Sequence, residues 1–244
     1  MRALLTDAYR TLVPPREDRH GPLPPLLLTL TLVTGLVDAV SYLALGNVFV
    51  ANMTGNVVFL GFALTGAGGL SALASVVSLT AFLAGALAGG RLGTQFAGNR
   101  GRLLAVASAA QAALIAVTVV VAASAGGEVT TTVRYTLIVF LGMTMGAQNA
   151  VARRLGVPDL TTTVLTLTLT GLAADSTTGG KAPRPGRRIL SVLTMFLGAL
   201  VGAVLIEYDL FVLLLGLVLL LVVVTSATAY RLSAGGTAWT RPPP

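Results

Sequence analysis

The most informative polar residues of this chain lie inside one of its most apolar regions, between positions 46 and 56. Amides and a hydroxyl donate and accept hydrogen bonds, and glycine permits close approach of the backbone. Because an unpaired polar group is costly in a bilayer, such a cluster faces protein or water. The cluster predicts a site for a neutral or zwitterionic solute, and the alternative is that its amides cap a short helix. Its candidate binding residues are Asn47, Asn52, Thr54, Gly55 and Asn56.

An acid, Asp38, precedes this cluster and is the only one well inside an apolar segment. A carboxylate at the centre of a membrane helix costs about 2.5 to 3.5 kcal/mol, which suggests a transport pathway or a specific partner. We expect Asp38 to bind and release a proton or to hold a cation during a transport cycle. The alternative is a structural hydrogen bond to Ser41, Tyr42 or Asn149.

The composition predicts a membrane protein. Of the 244 residues, 55% are hydrophobic and only 10% are charged, and the mean hydropathy is +0.86. Apolar segments of roughly 20 residues recur along the chain, as membrane-spanning helices require. The net charge of +7 comes from arginines at the ends of these segments, so it indicates topology and not a nucleic-acid surface. The expected partners are the lipid bilayer and an unknown small-molecule solute.

Few residues could support catalysis or metal binding. The chain has no cysteine, and its one histidine, His20, lies in the polar N-terminal segment. Neither the zinc motif His-Glu-x-x-His nor the nucleophile motif Gly-x-Ser-x-Gly occurs. A single buried aspartate also lacks the second carboxylate of an aspartyl protease. We therefore expect no enzymatic activity, no metal and no cofactor.

The positions of the basic residues limit how many apolar segments cross the membrane. Eight such segments occur, at about 26–45, 48–66, 71–91, 103–124, 132–151, 159–174, 188–206 and 209–230. If basic loops are cytoplasmic, an even number of crossings separates the N-terminal tail from loop 91–102, yet three segments lie between them. The Arg153-Arg154 pair and loop 175–188, which includes Lys181, flank a single segment. Segments 48–66 and 159–174 are therefore predicted not to cross.

The two halves of the sequence resemble each other. Positions 35–40 match 146–151, with Asp38 opposite Asn149, and the glycine pair Gly85 and Gly89 recurs as Gly198 and Gly202. Three crossings in each half would insert the second half upside down. We predict an all-α polytopic helix bundle of about six crossings, arranged as two inverted three-helix repeats, each with a re-entrant or broken helix. The alternative is a set of long kinked helices with the polar cluster at an interfacial turn.

This duplication predicts the domain organisation and a second half of the site. Residues 1–25 would form a cytoplasmic N-terminal tail, 26–124 the first repeat, 132–230 the second repeat and 231–244 a flexible C-terminal tail. The glycine pairs would pack between the repeats, and the alternative is a homodimer contact. Polar residues of the second repeat would face the first cluster from the opposite side: Gln148, Asn149, Thr162, Thr166 and Thr168.

Two blocks of the chain resemble a known bacterial family. The run TGLVDAVSYLALGNVFVANMTGNVVFLG, residues 34–61, is similar to the signature of the YoaK family, also called DUF1275. The run GAQNAVARRLGVPDLTT, residues 146–162, resembles its second block. The resemblance implies an integral protein of the bacterial inner membrane and transfers no site residues.

The pattern as a whole favours a small-solute transporter with a polar site near the membrane midplane. Both termini would be cytoplasmic, and Asp38 would couple transport to a proton or cation. A passive channel is the alternative, because paired re-entrant segments also form pores and a channel needs no buried carboxylate. A membrane sensor or assembly protein without transport activity is a further alternative.

Overall fold

The protein is built from α-helices. A computed structural model describes residues 2–15, 18–66, 69–160, 162, 165–174, 184–235 and 238–241. A π-helical turn, Val40–Ala44, extends the second helix, and a short 3-10 turn, Ala238–Thr240, follows the last helix. The predicted all-α class is confirmed. In chain order the helices are α1 Arg2–Leu12, α2 Leu23–Ala39, α3 Met53–Leu64, α4 Ala72–Gln95, α5 Arg100–Ser124, α6 Thr131–Leu155, α7 Leu165–Ala174, α8 Pro185–Glu207 and α9 Phe211–Ser233.

Six helices in the described part are long and apolar enough to cross a membrane: α2 with its π-helical turn, α4, α5, α6, α8 and α9. They contain 22 to 25 residues, or about 33 to 38 Å of helix, against a hydrocarbon thickness of about 30 Å. The helices α3 and α7 have only 12 and 10 residues. They lie in the two segments that the charge count predicts not to cross. Lys181, in loop 175–188, lies outside the described residues.

Short polar side chains begin three of the long helices. Oγ of Ser71 accepts a hydrogen bond from the Ala74 amide at 3.1 Å at the start of α4. Asn99 and Thr130 cap α5 and α6 in the same way. These residue types are favoured at helix N-termini because their side chains satisfy otherwise unpaired amides. Local sequence signals therefore set where these helices begin.

Glycines bring helices of opposite halves into close contact. A Cβ atom at Gly146 of α6 would overlap the carbonyl oxygen of Phe82 in α4. A Cβ atom at Gly35 of α2 would overlap the carbonyl oxygen of Met195 in α8 in the same way. Gly85 and Gly198 make the reciprocal contacts from α4 and α8. Small residues allow this approach of membrane helices, so these glycine faces lie between the halves of the chain and not on an open surface.

Several helix contacts of the described structure occur in pairs that the match between the halves relates. The sequence match pairs α2 with α6, α3 with α7, α4 with α8 and α5 with α9. Under this pairing two of the three largest helix contacts, α4 with α6 and α2 with α8, are equivalent to each other. The contact of α3 with α4 likewise corresponds to that of α7 with α8, and α5 packs directly on α9.

One end of the bundle carries a buried basic cluster. The Arg100 guanidinium donates hydrogen bonds to Nδ1 of His20, at 3.2 Å, and to the Leu155 carbonyl oxygen. Burial and the nearby positive charge of Arg100 lower the pKa of His20 to about 4. At the same end Arg188 pairs with Asp159 at 2.8 Å. The contacts of Arg100 join the segment that precedes α2 to the start of α5 and the end of α6.

Described residues near both ends of the chain pack on this end of the bundle. The indole of Trp239, only 6% exposed, lies against Gly21 and Gly101, where any side chain would collide with the ring. The Arg187 amide donates to the Asp7 carboxylate at 3.2 Å, which holds α1 on α8. The sequence analysis predicts a cytoplasmic N-terminal tail and a flexible C-terminal tail, and it cannot show that glycines elsewhere leave room for a buried indole.

Candidate functional site

A cavity of about 580 Å³ lies where the two short helices meet the bundle. The start of α3 forms one wall, and residues of α4, α6 and α7 complete it. Its volume falls in the range of small-molecule sites, which is roughly 300 to 1,000 Å³. The lining residues are Ala51, Asn52, Met53, Thr54, Gly55, Val58, Phe59, Phe82, Asn149 and Thr166.

The first turn of α3 presents polar groups to this cavity. Asn52 immediately precedes the helix, is exposed, and makes no capping hydrogen bond with its side chain. Thr54 is also exposed. The first amides of a helix have no partner within the helix, so this turn offers backbone donors beside the Asn52 amide and the Thr54 hydroxyl. The predicted cluster thus contributes Asn52, Thr54 and Gly55 to one wall.

Gly55 is required for the shape of this wall. A Cβ atom at position 55 would lie 2.8 Å from the ring of Phe49. That ring stacks on Tyr42 with 5.1 Å between centroids and on Phe59 with 5.7 Å. Aromatic pairs at these separations are stabilising. The three rings form a rigid support beneath the start of α3, and Phe59 extends it to the cavity.

Asn56 has a structural position and does not line the cavity. It is fully buried, and its Oδ1 accepts from the Phe49 amide at 2.9 Å. Its amide nitrogen donates to the Phe49 carbonyl oxygen and to Oγ of Ser78 in α4. Both backbone polar groups of Phe49 are therefore satisfied by one side chain, which fixes loop 45–52 against α4.

Asp38 lies directly behind the cavity wall. Its side chain is only 8% exposed, and Oδ1 has no hydrogen-bond partner in the described structure. The backbone amide of Ala51, a lining residue, interacts with the same carboxyl group. The π-helical turn begins two residues later, at Val40. Such turns interrupt regular helices frequently at functional sites.

The second half contributes two predicted residues to the cavity. Asn149 lines it from α6, and its amide nitrogen donates to the Met145 carbonyl oxygen at 2.9 Å. Thr166 lines it from the first turn of α7 and is exposed. Thr168 and Thr162 are both buried and do not line it. The structure thus brings Asn149 and Thr166 to the cluster of the first half, as the sequence predicts.

Two further predicted residues lie elsewhere. The Gln148 amide donates to Oγ1 of Thr34 at 2.9 Å, and its Oε1 accepts from Gln111 at 2.8 Å, so it links α2, α5 and α6 inside the bundle. Asn47 is exposed in the turn after α2, with a φ of 58°. Asparagine tolerates this left-handed conformation better than most residues, which explains its presence there.

The sequence analysis does not identify the aromatic part of the site. Phe59 and Phe82 line the cavity, and Ser78 anchors the loop beneath it. Phenylalanine is ordinary in a membrane helix, so its type carries no signal. A serine in the apolar α4 segment is the one usable clue, because a buried hydroxyl needs a partner.

Comparison with known proteins assigns the chain to a family. A family model described as a protein of unknown function (DUF1275) matches residues 26–227, from the first turn of α2 to the last third of α9. The chain belongs to the DUF1275 family. This finding confirms the resemblance seen in the two sequence blocks.

One relative extends this assignment. The chain is 32% identical over 151 residues to the UPF0700 transmembrane protein YoaK of Bacillus subtilis (strain 168). The match covers 62% of this chain and 65% of that relative, so it spans a little less than two thirds of the relative's length. No solved structure matches the chain. The transmembrane relative and the six long apolar helices together show that this DUF1275 chain is a multi-pass transmembrane protein.

Proposed function

We propose that this protein transports a small neutral or zwitterionic solute through the cavity between α3, α6 and α7. The observation that carries the proposal is the convergence of both short helices on one cavity whose lining includes the polar side chains of Asn52, Thr54 and Asn149. Helices that end inside a membrane protein leave backbone groups that lipid cannot satisfy and that a solute can. The described lining residues offer amides and hydroxyls and no charged side chain, which fits a solute without net charge.

The relation between the halves supports a transport mechanism. In an inverted repeat, one half can rock against the other around a fixed central site. The equivalent contacts α4 with α6 and α2 with α8 are those expected of such a pair of halves. We propose that the two halves are inverted and that their relative motion opens the cavity to each side in turn.

Asp38 is proposed as the coupling residue. Two observations support this role: Oδ1 of the buried carboxyl group has no partner in the described structure, and the same carboxyl group interacts with Ala51, which lines the cavity. A proton or cation on this carboxyl group would change how loop 45–52 packs against α2. Transport of solute and ion would thereby be linked.

The distribution of charged residues supports a proposal for the membrane in which the protein lies and for the side that faces the cytoplasm. Arginines concentrate at the end of the bundle that holds His20 and Leu155, whereas Glu128, Glu207 and Asp209 lie at the opposite end, in the α5–α6 loop, at the end of α8 and just after it. By the positive-inside rule, the basic end and both termini are cytoplasmic. We propose the bacterial inner membrane as the location, and transport without enzymatic activity.

A ligand screen tests the cavity. Purified protein is heated with small neutral and zwitterionic metabolites, and the unfolding temperature is recorded. We expect some solutes to raise it in the wild type and much less in Asn52→Ala, because bound ligand stabilises the folded state. Asn47→Gly is the matched control, since it removes an exposed amide outside the cavity and tolerates the positive φ. Equal stabilisation of all three proteins would place the site elsewhere.

A flux assay separates a transporter from the alternatives. In proteoliposomes with an imposed proton or sodium gradient, the wild type should concentrate a solute identified by the screen. Asp38→Asn should abolish uphill uptake in a coupled transporter but leave most conduction in a passive channel. If Asp38→Asn still concentrates solute, coupling at Asp38 is wrong. If solutes bind without any flux in the wild type, the protein is a sensor or assembly protein.

A further inference from the structure

A second cavity has the opposite chemical character to the first. A groove of about 420 Å³ runs between α5 and α9. Val106, Val223 and Tyr230 on its walls are 36%, 45% and 64% exposed, so the groove opens on the outer surface of the bundle. Its lining residues are Ala105, Val106, Ala109, Ala112, Val223, Ser226, Ala227 and Tyr230.

The lining selects an apolar occupant. The Ser226 hydroxyl donates to the carbonyl oxygen of Ala105 at 2.8 Å, so it is already satisfied within the protein. The remaining walls are alanine, valine and the aromatic ring of Tyr230. Small side chains on both helices leave open space between them, and a hydrocarbon chain that fills this space gains dispersion contacts. A polar solute would find no comparable partner there.

Two arginines continue the groove at the basic end of the bundle. Arg102 precedes Ala105 by three residues and therefore lies on the same face of α5. Arg231 follows Ala227 by four residues and lies on the same face of α9. Both arginines are exposed. Tyr230 lines the groove and directly precedes Arg231, and aromatic residues near the ends of membrane helices are typical of the membrane interface.

We propose that this groove binds one anionic glycerophospholipid from the leaflet at the basic end, with an acyl chain between α5 and α9 and the phosphate between Arg102 and Arg231. Guanidinium groups bind phosphate through paired, charge-assisted hydrogen bonds. Basic sites between membrane helices are a recurrent way to hold anionic head groups. The apolar groove favours a whole lipid over free phosphate, and the arginines favour an anionic lipid over a zwitterionic one.

Native mass spectrometry of the full chain in detergent tests this assignment. Phosphatidylglycerol and phosphatidylcholine with identical acyl chains are titrated separately, with glycerol 3-phosphate as the free-phosphate arm. The wild type should retain one phosphatidylglycerol, about tenfold more tightly than phosphatidylcholine. Arg102→Gln with Arg231→Gln should remove this preference, and Ala109→Phe should weaken binding of the whole lipid by filling the groove.

The control is matched in charge and position. Arg91→Gln with Arg153→Gln removes two exposed arginines from the same end of the bundle, on α4 and α6. This double variant should keep the lipid and its preference. An equal loss in both double variants would mean general attraction to charge and would overturn the proposal. Equal retention of both lipids by the wild type, or binding of glycerol 3-phosphate alone, would overturn it as well.

A second measurement leaves both arginines in place, so it holds even if those variants fail to fold. Tyr230→Trp adds a tryptophan at the groove, while the one native tryptophan, Trp239, is buried. In vesicles, brominated phosphatidylglycerol should quench the added fluorescence at least about twofold more than brominated phosphatidylcholine. Equal quenching would contradict the assignment. So would a dimer that Ala109→Phe dissociates without any lipid effect, because the groove would then hold a second copy.

Discussion

At the scale of single residues, two asparagines of one short segment have separate roles. Asn52 is exposed to the cavity, whereas Asn56 is fully buried and satisfies both backbone polar groups of Phe49. The sequence predicts that the cluster is a site, but it gives the two amides the same weight. Their difference depends on Ser78, 22 residues further along the chain, which packs against Asn56.

Replacing these two asparagines should therefore have opposite consequences. Asn56→Ala leaves the Phe49 amide without its partner, at roughly 1 to 3 kcal/mol, and leaves the Phe49 carbonyl oxygen with only the hydrogen bond from Ser78. We expect a clear fall in the unfolding temperature of the detergent-purified protein. Asn52→Ala should leave this temperature nearly unchanged and weaken solute binding instead. The interpretation is wrong if Asn52→Ala is the more destabilised protein.

His20 should make the folded protein sensitive to acid. Its pKa of about 4 in the folded state lies below the ordinary value of 6.5. As the pH falls from 6.5 towards 4, the His20 imidazole binds a proton in the unfolded chain but not in the folded protein. The free energy of unfolding therefore decreases across this pH window. His20→Gln should show a smaller loss of unfolding temperature between pH 7.5 and pH 5. An identical pH profile for both proteins would exclude His20 as a source of this sensitivity.

At the scale of elements, the charge count predicts the two short helices, but their ends depend on tertiary contacts. The segment at 48–66 forms a helix only over Met53–Leu64. Residues 45–52 remain irregular because Gly46 and Asn47 have positive φ and because Asn56 takes the backbone hydrogen bonds of Phe49. Hydropathy cannot report such side-chain contacts. Hydropathy does predict the six long helices, because a helix needs about 20 apolar residues to cross the bilayer.

Glycine at the contact of α4 with α6 should be far more sensitive than glycine elsewhere on α4. Gly146→Ala forces a methyl group into the Phe82 carbonyl oxygen, and we expect destabilisation of about 1 to 3 kcal/mol from overpacking. Gly90→Ala is the control, since no heavy atom lies within 4 Å of its added Cβ. It should be neutral or slightly stabilising, because alanine favours helix. Thermal unfolding of both variants measures the difference, and equal effects would contradict the packing.

At the scale of the whole molecule, the principal helix contacts of the bundle join one half of the chain to the other. Sequence similarity predicts that the halves are related, since Gly35 and Gly146 occupy equivalent motifs. It does not predict that α2 packs mainly on α8, or α4 on α6, because those contacts join residues far apart in the chain. The cavity with the polar cluster forms where these contacts between the halves bring α3 and α7 near each other.

The proposed topology can be tested on a chain without native cysteine. Gly98→Cys lies in the exposed loop between α4 and α5, and Glu128→Cys lies in the exposed loop between α5 and α6. In intact cells a membrane-impermeant maleimide should label position 128 and leave position 98 unlabelled. Permeabilised cells should show both. Labelling of position 98 in intact cells would reverse the assigned orientation.

The contacts between the two halves have a consequence for folding during synthesis. When the ribosome has released the first half, the glycine faces of α2 and α4 still lack α8 and α6, so carbonyl groups and small residues remain open to lipid or to other nascent chains. The first half therefore stays incompletely packed in the membrane until the helices of the second half have been synthesised. Truncation after α5 should therefore yield a short-lived fragment, and the two halves produced as separate polypeptides should accumulate only when they are made in the same cell.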